Sequence, residues 1–142
     1  MMNNGAVDTA SGALSQGRWI LVVAALLGAL GLTLSAMSAH AFGPLIDSAG
    51  LLRLEKANRY LVHYSLVLLV VGLLYQFLHW AGLVAVALLF SAGVGIFSGS
   101  LYILCFFEMP WASRLVPVGG MALLTGWLVL AWAVWRQDQQ RC

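Results

Sequence analysis

Four long apolar runs, separated by polar breaks of which the first, from residue 40 to the second run, is the longest, set the plan of this chain. They extend from Trp19 to Ala39, Tyr60 to Leu78, Leu83 to Phe107 and Leu115 to Trp135. Each is close to the roughly 20 residues that an α-helix needs to cross the hydrocarbon of a bilayer. The pattern predicts an all-α membrane protein, a bundle of four transmembrane helices, with a short interfacial helix before helix 2. Residues 1–17 are small and polar without hydrophobic period, which predicts a disordered tail. The transmembrane domain is then 18–136, and 137–142 is a short polar tail.

The first run contains no charged residue, and Arg18 and Trp19 anchor its start at the headgroups. Ala24, Gly28, Gly31, Ser35 and Ser38 share one helical face, the kind of small-residue surface that lets membrane helices approach closely. A cleaved secretory signal is the competing reading, because Ala39-His40-Ala41 resembles a cleavage site; the apolar run is longer than the usual signal core. Gly43-Pro44 is expected to end or turn this helix. Leucines among charges at 50–58 predict the interfacial helix, running into the second span.

Glu55, Arg59 and His63 stack at i, i+4 and i+8, a polar column descending from the surface towards the hydrocarbon. Asn58, Ser65, Gly72 and Gln76 form an adjacent face. His79 to Gly82 is short enough only for a tight turn. The third span carries Ser91, Gly95, Ser98, Gly99 and Tyr102 on one side, with Gly95 and Gly99 in the spacing of close-packed membrane helices. Pro110 and Trp111 close it. In the fourth span Pro117 is expected in the first turn, where a missing N–H costs little, and Gly119, Gly120 and Gly126 supply a further close-approach surface.

Composition narrows the function classes. Of 142 residues, 62% are hydrophobic and 8% charged, against about 25% charged in a soluble domain; mean hydropathy is +0.92. Lipid is therefore the expected solvent and first partner. A net charge of +2, spread along the chain, excludes a nucleic-acid surface. Cys105 lies inside an apolar run and Cys142 is the last residue, a placement with neither metal nor disulfide spacing. Four spans put both termini on one side. The basic residues, three with the termini and four opposite, scarcely favour either orientation.

The candidate polar cluster is His63, Arg59, Asn58, His40, Ser98 and Tyr102. Ionisable groups at membrane depth are costly and mark function by default, so His63 suggests a relay or ligand; the bland alternative is a histidine that holds helices in register. His40 sits where a side chain can cap helix carbonyls. Arg59 suits a lipid headgroup or anion, or simple snorkelling beside Glu55. Ser98 and Tyr102 fit either a polar path or interhelical hydrogen bonds. No catalytic motif is present, two histidines make at most half a zinc site, and no cofactor or metal is assigned.

Several stretches together resemble the domain of unknown function 423 family, which includes the animal transmembrane protein 256. They are Gly28-Ala29-Leu30-Gly31 leading to Ser38-Ala39-His40, and Lys56-Ala57-Asn58-Arg59-Tyr60 with His63. Phe97 to Tyr102, and Pro117-Val118-Gly119-Gly120 with Gly126-Trp127, complete the set. The likeness covers roughly residues 24–132. One departure is that Ala41-Phe42 follow His40, where the family usually has glycine. The resemblance implies four membrane helices and a bacterial inner-membrane location, without an established activity. The residues themselves leave these functional classes: a structural or accessory protein or small subunit of a membrane complex, which includes self-association; an oligomeric transporter or channel around His63; a haem- or metal-binding redox protein using His40 and His63; and, behind these, lipid or quinone binding.

Overall fold

In a computed structural model of the chain, the backbone is described for residues 4–42 and 46–139, and the side chains for 17–38, 40–42 and 46–136. The elements are α1 (Asn4–Met37), a π-helical turn (Ser38–Phe42), α2 (Ser48–Leu78), α3 (Ala81–Phe106) and α4 (Ala112–Gln139). All four helices are long and apolar enough to cross a membrane. The helix expected at 50–58 is the first part of α2, continuous with the span. Asp47 starts it, its side-chain Oδ1 accepting from the Gly50 N–H at 2.8 Å, the usual satisfaction of an orphan donor at a helix start.

Three boundaries depart from the sequence pattern. The α1 backbone is helical from Asn4, inside the segment expected to be disordered; extending an existing helix costs far less than nucleating one. At the other end, α4 runs to Gln139, into the expected tail. α4 also begins at Ala112, after a turn in which Ala112 N–H donates to Met109 O and Arg114 N–H to Trp111 O. Pro117 therefore lies inside the helix rather than in its first turn, removing one backbone donor there. The expected break at Gly43-Pro44 falls outside the described residues.

Contacts along each pair of neighbours run in opposite sequence directions, so consecutive helices are antiparallel. Gly31 meets Leu61 and Val62, Gly28 meets Ser65, and Ile20 and Leu21 meet Gly72. Ser98 and Tyr102 reach Ala57 and Asn58, while Tyr64 lies against Phe90. Phe97 meets Gly119, Gly93 meets Leu123, and Phe90 meets Gly126. The tight turns have specific causes. His79 takes the left-handed conformation (φ 47°, ψ 36°) and its N–H donates to Tyr75 O, reversing the chain between α2 and α3.

The helices form an open row. α1 packs on α2, α2 on α3 and α3 on α4, with a smaller contact of α1 on α3; among the described residues no Cα of α4 lies within 8 Å of one in α1 or α2. The core runs along the middle pair, with Leu68 and Val71 of α2 and Val86, Phe90 and Val94 of α3 essentially inaccessible. Between apolar helices in lipid, close van der Waals packing and interhelical hydrogen bonds replace the hydrophobic effect as the adhesive. The row leaves a groove between α2 and α4, with α3 as its floor. The small-residue faces of the first, third and fourth spans lead one to expect that they enclose the polar column of α2; the structure instead leaves Glu55, Arg59 and His63 exposed. Glu55 and Arg59 line hollows shared with Ser35 and Ser38 of α1 and with Leu101 of α3, and Arg59 and His63 line the groove shared with Trp127 of α4.

Candidate functional site

Two polar arrangements emerge, one inside the bundle and one on its groove. The inner one centres on Asn58, which is 3% exposed. Its Nδ2 donates to Ser38 Oγ at 2.9 Å, and its Oδ1 accepts from Tyr102 OH at 2.7 Å. Ser38 Oγ in turn donates to Leu34 O at 2.6 Å. One turn along α3, Ser98 Oγ donates to Ala57 O at 3.0 Å. One amide side chain therefore ties the end of α1, α2 and α3 together. A buried amide with both ends paired escapes the cost of an unmet hydrogen bond in hydrocarbon.

The outer arrangement follows the next face of α2. Arg59 and Glu55 form an exposed ion pair at 2.6 Å. Arg59, Tyr60, His63, Tyr64, Val67 and Trp127 line a groove of about 440 Å3. Its floor is aromatic: Tyr60 lies over Phe97 with ring centroids 4.4 Å apart, and Tyr64 over Phe90 at 5.3 Å. Phe90 meets Trp127 edge-on at 5.3 Å, and Trp127 Nε1 donates to Tyr64 OH at 3.2 Å. That last bond crosses from α4 to α2, where the backbones themselves stay apart. Offset and edge-on ring pairs of this kind add stability beyond simple area.

Depth follows from length. About 20 residues of helix span the hydrocarbon. With the end of the candidate span Ser48–Leu78 taken as one boundary, a count back from Leu78 puts the other at Arg59. His63 is one turn, about 6 Å, further in, and is exposed from the protein rather than buried in it.

The predicted cluster thus splits. Asn58, Ser98 and Tyr102 come together at the hub; Arg59 and His63 share the groove. His40 stands exposed in the π-helical turn. Among the described residues no group of three or more His, Cys, Asp or Glu side chains is arranged to hold a metal.

The glycines divide too. Gly28, Gly31, Gly119 and Gly126 lie at helix contacts, whereas a Cβ on Gly95, Gly99 or Gly120 would meet nothing within 4 Å. α3 turns Ser98 and Tyr102 to α2 and Gly93 and Phe97 to α4, so the Gly95–Gly99 face falls outside both contacts. α4 uses Gly119, Leu123 and Gly126 against α3, which points Gly120 away.

Sequence reasoning passed over the aromatic floor. Its signal was the i, i+4 pair Tyr60 and Tyr64 opposite Phe90 and Phe97, seven residues apart on α3; only the register of α2 on α3 joins them.

The profile of a family described as "Protein of unknown function (DUF423)" matches residues 34–120. The chain is similar to a UPF0382 membrane protein of Staphylococcus aureus, 30% identical over 82% of this chain and 94% of the relative. It is similar to the UPF0382 membrane protein YwdK of Bacillus subtilis, 31% identical over 78% of this chain and 90% of that one. The UPF0382 inner membrane protein YgdD of Escherichia coli is 25% identical over 80% of this chain and 86% of its own length. No solved structure matches. With four membrane-length helices, a profile match over more than half its length and relatives of the same size and kind, this chain belongs to the DUF423 family of small integral membrane proteins.

Proposed function

We propose that the protein is a structural or accessory component of a bacterial inner-membrane complex, a small subunit or scaffold, with both termini on one side of the membrane. The observation that supports this reading is the Asn58 hub. Asn58, Ser38, Ser98 and Tyr102 direct their hydrogen bonds to neighbouring helices, which suits a rigid platform. A transporter built around His63 would need its path to form between copies, because His63 faces outward.

The test is extraction of the tagged protein from its own membrane in mild detergent, followed by native mass spectrometry. The expected result is co-purification with the same membrane proteins at fixed stoichiometry, retained when Asn58 is intact and weakened in Asn58→Leu. Release as a free monomer or a pure homo-oligomer that carries ion or solute flux in proteoliposomes, with flux lost in His63→Ala, would replace this reading with the transporter.

A further inference from the structure

The groove on α2 continues into a second compartment. Leu52, Arg53, Glu55, Lys56, Arg59, Tyr60 and Leu101 line a hollow of about 520 Å3, and Arg59 and Tyr60 belong to both. Three cations face one carboxylate in the upper compartment, and that carboxylate is already paired with Arg59. The lower compartment starts from the shared Arg59 and Tyr60, carries His63 beside them, and continues one helical turn deeper along Tyr64, Val67 and Trp127.

We infer that this continuous groove is a binding site for one anionic glycerophospholipid. The phosphate headgroup sits among Arg53, Lys56 and Arg59, and an acyl chain lies along Tyr60, Tyr64 and Val67 towards Trp127. Charge sets the headgroup: basic side chains at the interface attract anionic lipid, and arginine matches a phosphate with paired donors. Depth sets the chain. The cations occupy the headgroup level of α2, while the aromatic floor lies at hydrocarbon level, the same polarity order as a phospholipid entering from the side. His63, which lines the lower compartment one turn below Arg59, falls within the zone of the glycerol esters. The site stands apart from the accessory role, since a free-standing protein and a complex subunit would both present it.

The test is native mass spectrometry of the purified full chain in detergent, titrated with equal amounts of dioleoyl phosphatidylglycerol and dioleoyl phosphatidylcholine. One bound phosphatidylglycerol should survive gentle activation in clear excess over phosphatidylcholine. Removing one surface cation weakens the attraction about fivefold, so Arg53→Gln with Lys56→Gln should cut the preference for phosphatidylglycerol about 25-fold. Val67→Trp, which fills the lower compartment and leaves the cations in place, should abolish retention of both lipids. Leu66→Trp, on the uncovered face beside the groove, serves as a folded control and should retain lipid like the parent. Equal retention of the two lipids, or retention untouched by Val67→Trp, would overturn the site. Retention lost equally in Val67→Trp and Leu66→Trp would also overturn it, because the effect would then not belong to the groove.

Discussion

Neighbouring glycines in α4 should respond in opposite ways to the same added methyl group. A Cβ on Gly119 would stand 2.5 Å from Phe97 N and 2.8 Å from Phe97 Cα; a Cβ on Gly120 would meet nothing within 4 Å. Ordinary contact begins near 3.4 Å, so Gly119→Ala requires α3 and α4 to part locally by 3.4 minus 2.5, about 0.9 Å. The obstructing atoms are backbone, which cannot rotate aside. Parting the helices also loosens the packing of Gly93 on Leu123 and of Gly126 on the Phe90 ring. Overpacking of this kind costs about 1–3 kcal/mol. The gain from replacing glycine by alanine within a helix is common to both positions, so the difference between the variants isolates the steric part. The assay is unfolding in mixed micelles with increasing SDS, followed by near-ultraviolet circular dichroism. Gly119→Ala should unfold at lower SDS by that 1–3 kcal/mol relative to Gly120→Ala, and Gly120→Leu and Gly95→Leu should stay near the parent. Equal midpoints for Gly119→Ala and Gly120→Ala would refute the α3–α4 register.

The hydrogen-bond hub should be measurable by the same unfolding assay: interhelical bonds in membranes average about 0.6 and reach about 1.7 kcal/mol. Tyr102→Phe should lose one such bond and Asn58→Leu two, with the larger shift in Asn58→Leu. Ser98→Ala should cost a comparable amount, whereas Ser91→Ala should be neutral or stabilising, because Ser91 Oγ is buried with no hydrogen-bond partner among the described residues; a larger loss at Ser91 would contradict this. Asp47→Ala should weaken the start of α2 by about 0.5–2 kcal/mol, seen as faster amide exchange confined to the first turn after residue 47. Glu55→Gln should shift global stability by no more than about 1 kcal/mol, since the ion pair with Arg59 is exposed; a larger shift in the unfolding midpoint would place that pair in a more enclosed setting than the groove rim.

Much of the architecture was legible without coordinates, because hydrocarbon leaves few options. A chain in lipid must satisfy its backbone within each span, so four apolar runs of membrane length read directly as four helices, and short breaks force antiparallel neighbours. Within one helix, angular position also follows from spacing: the faces carrying Gly28, Gly31 and Ser38, and Asn58 with Ser65, are properties of a 3.6-residue repeat. Which face meets which neighbour is another matter. The Gly95–Gly99 spacing is the same whether it seats a helix or faces open space, and Gly119 and Gly120 differ only by 100° of rotation. Ionisable residues are equally ambiguous, since His63 lies on an outward groove and Asn58 in a closed network although they are five residues apart on α2. Those outcomes depend on the rotation and register of α2 against α3 and of α3 against α4. Both are set by the summed contacts of many side chains from distant parts of the chain, such as Phe97 on Gly119 and Tyr102 on Asn58. Sequence alone thus determined the spans, their direction and the surface each helix offers. Tertiary structure alone decided which surfaces were used, because small energies per contact select one arrangement only when added across whole interfaces.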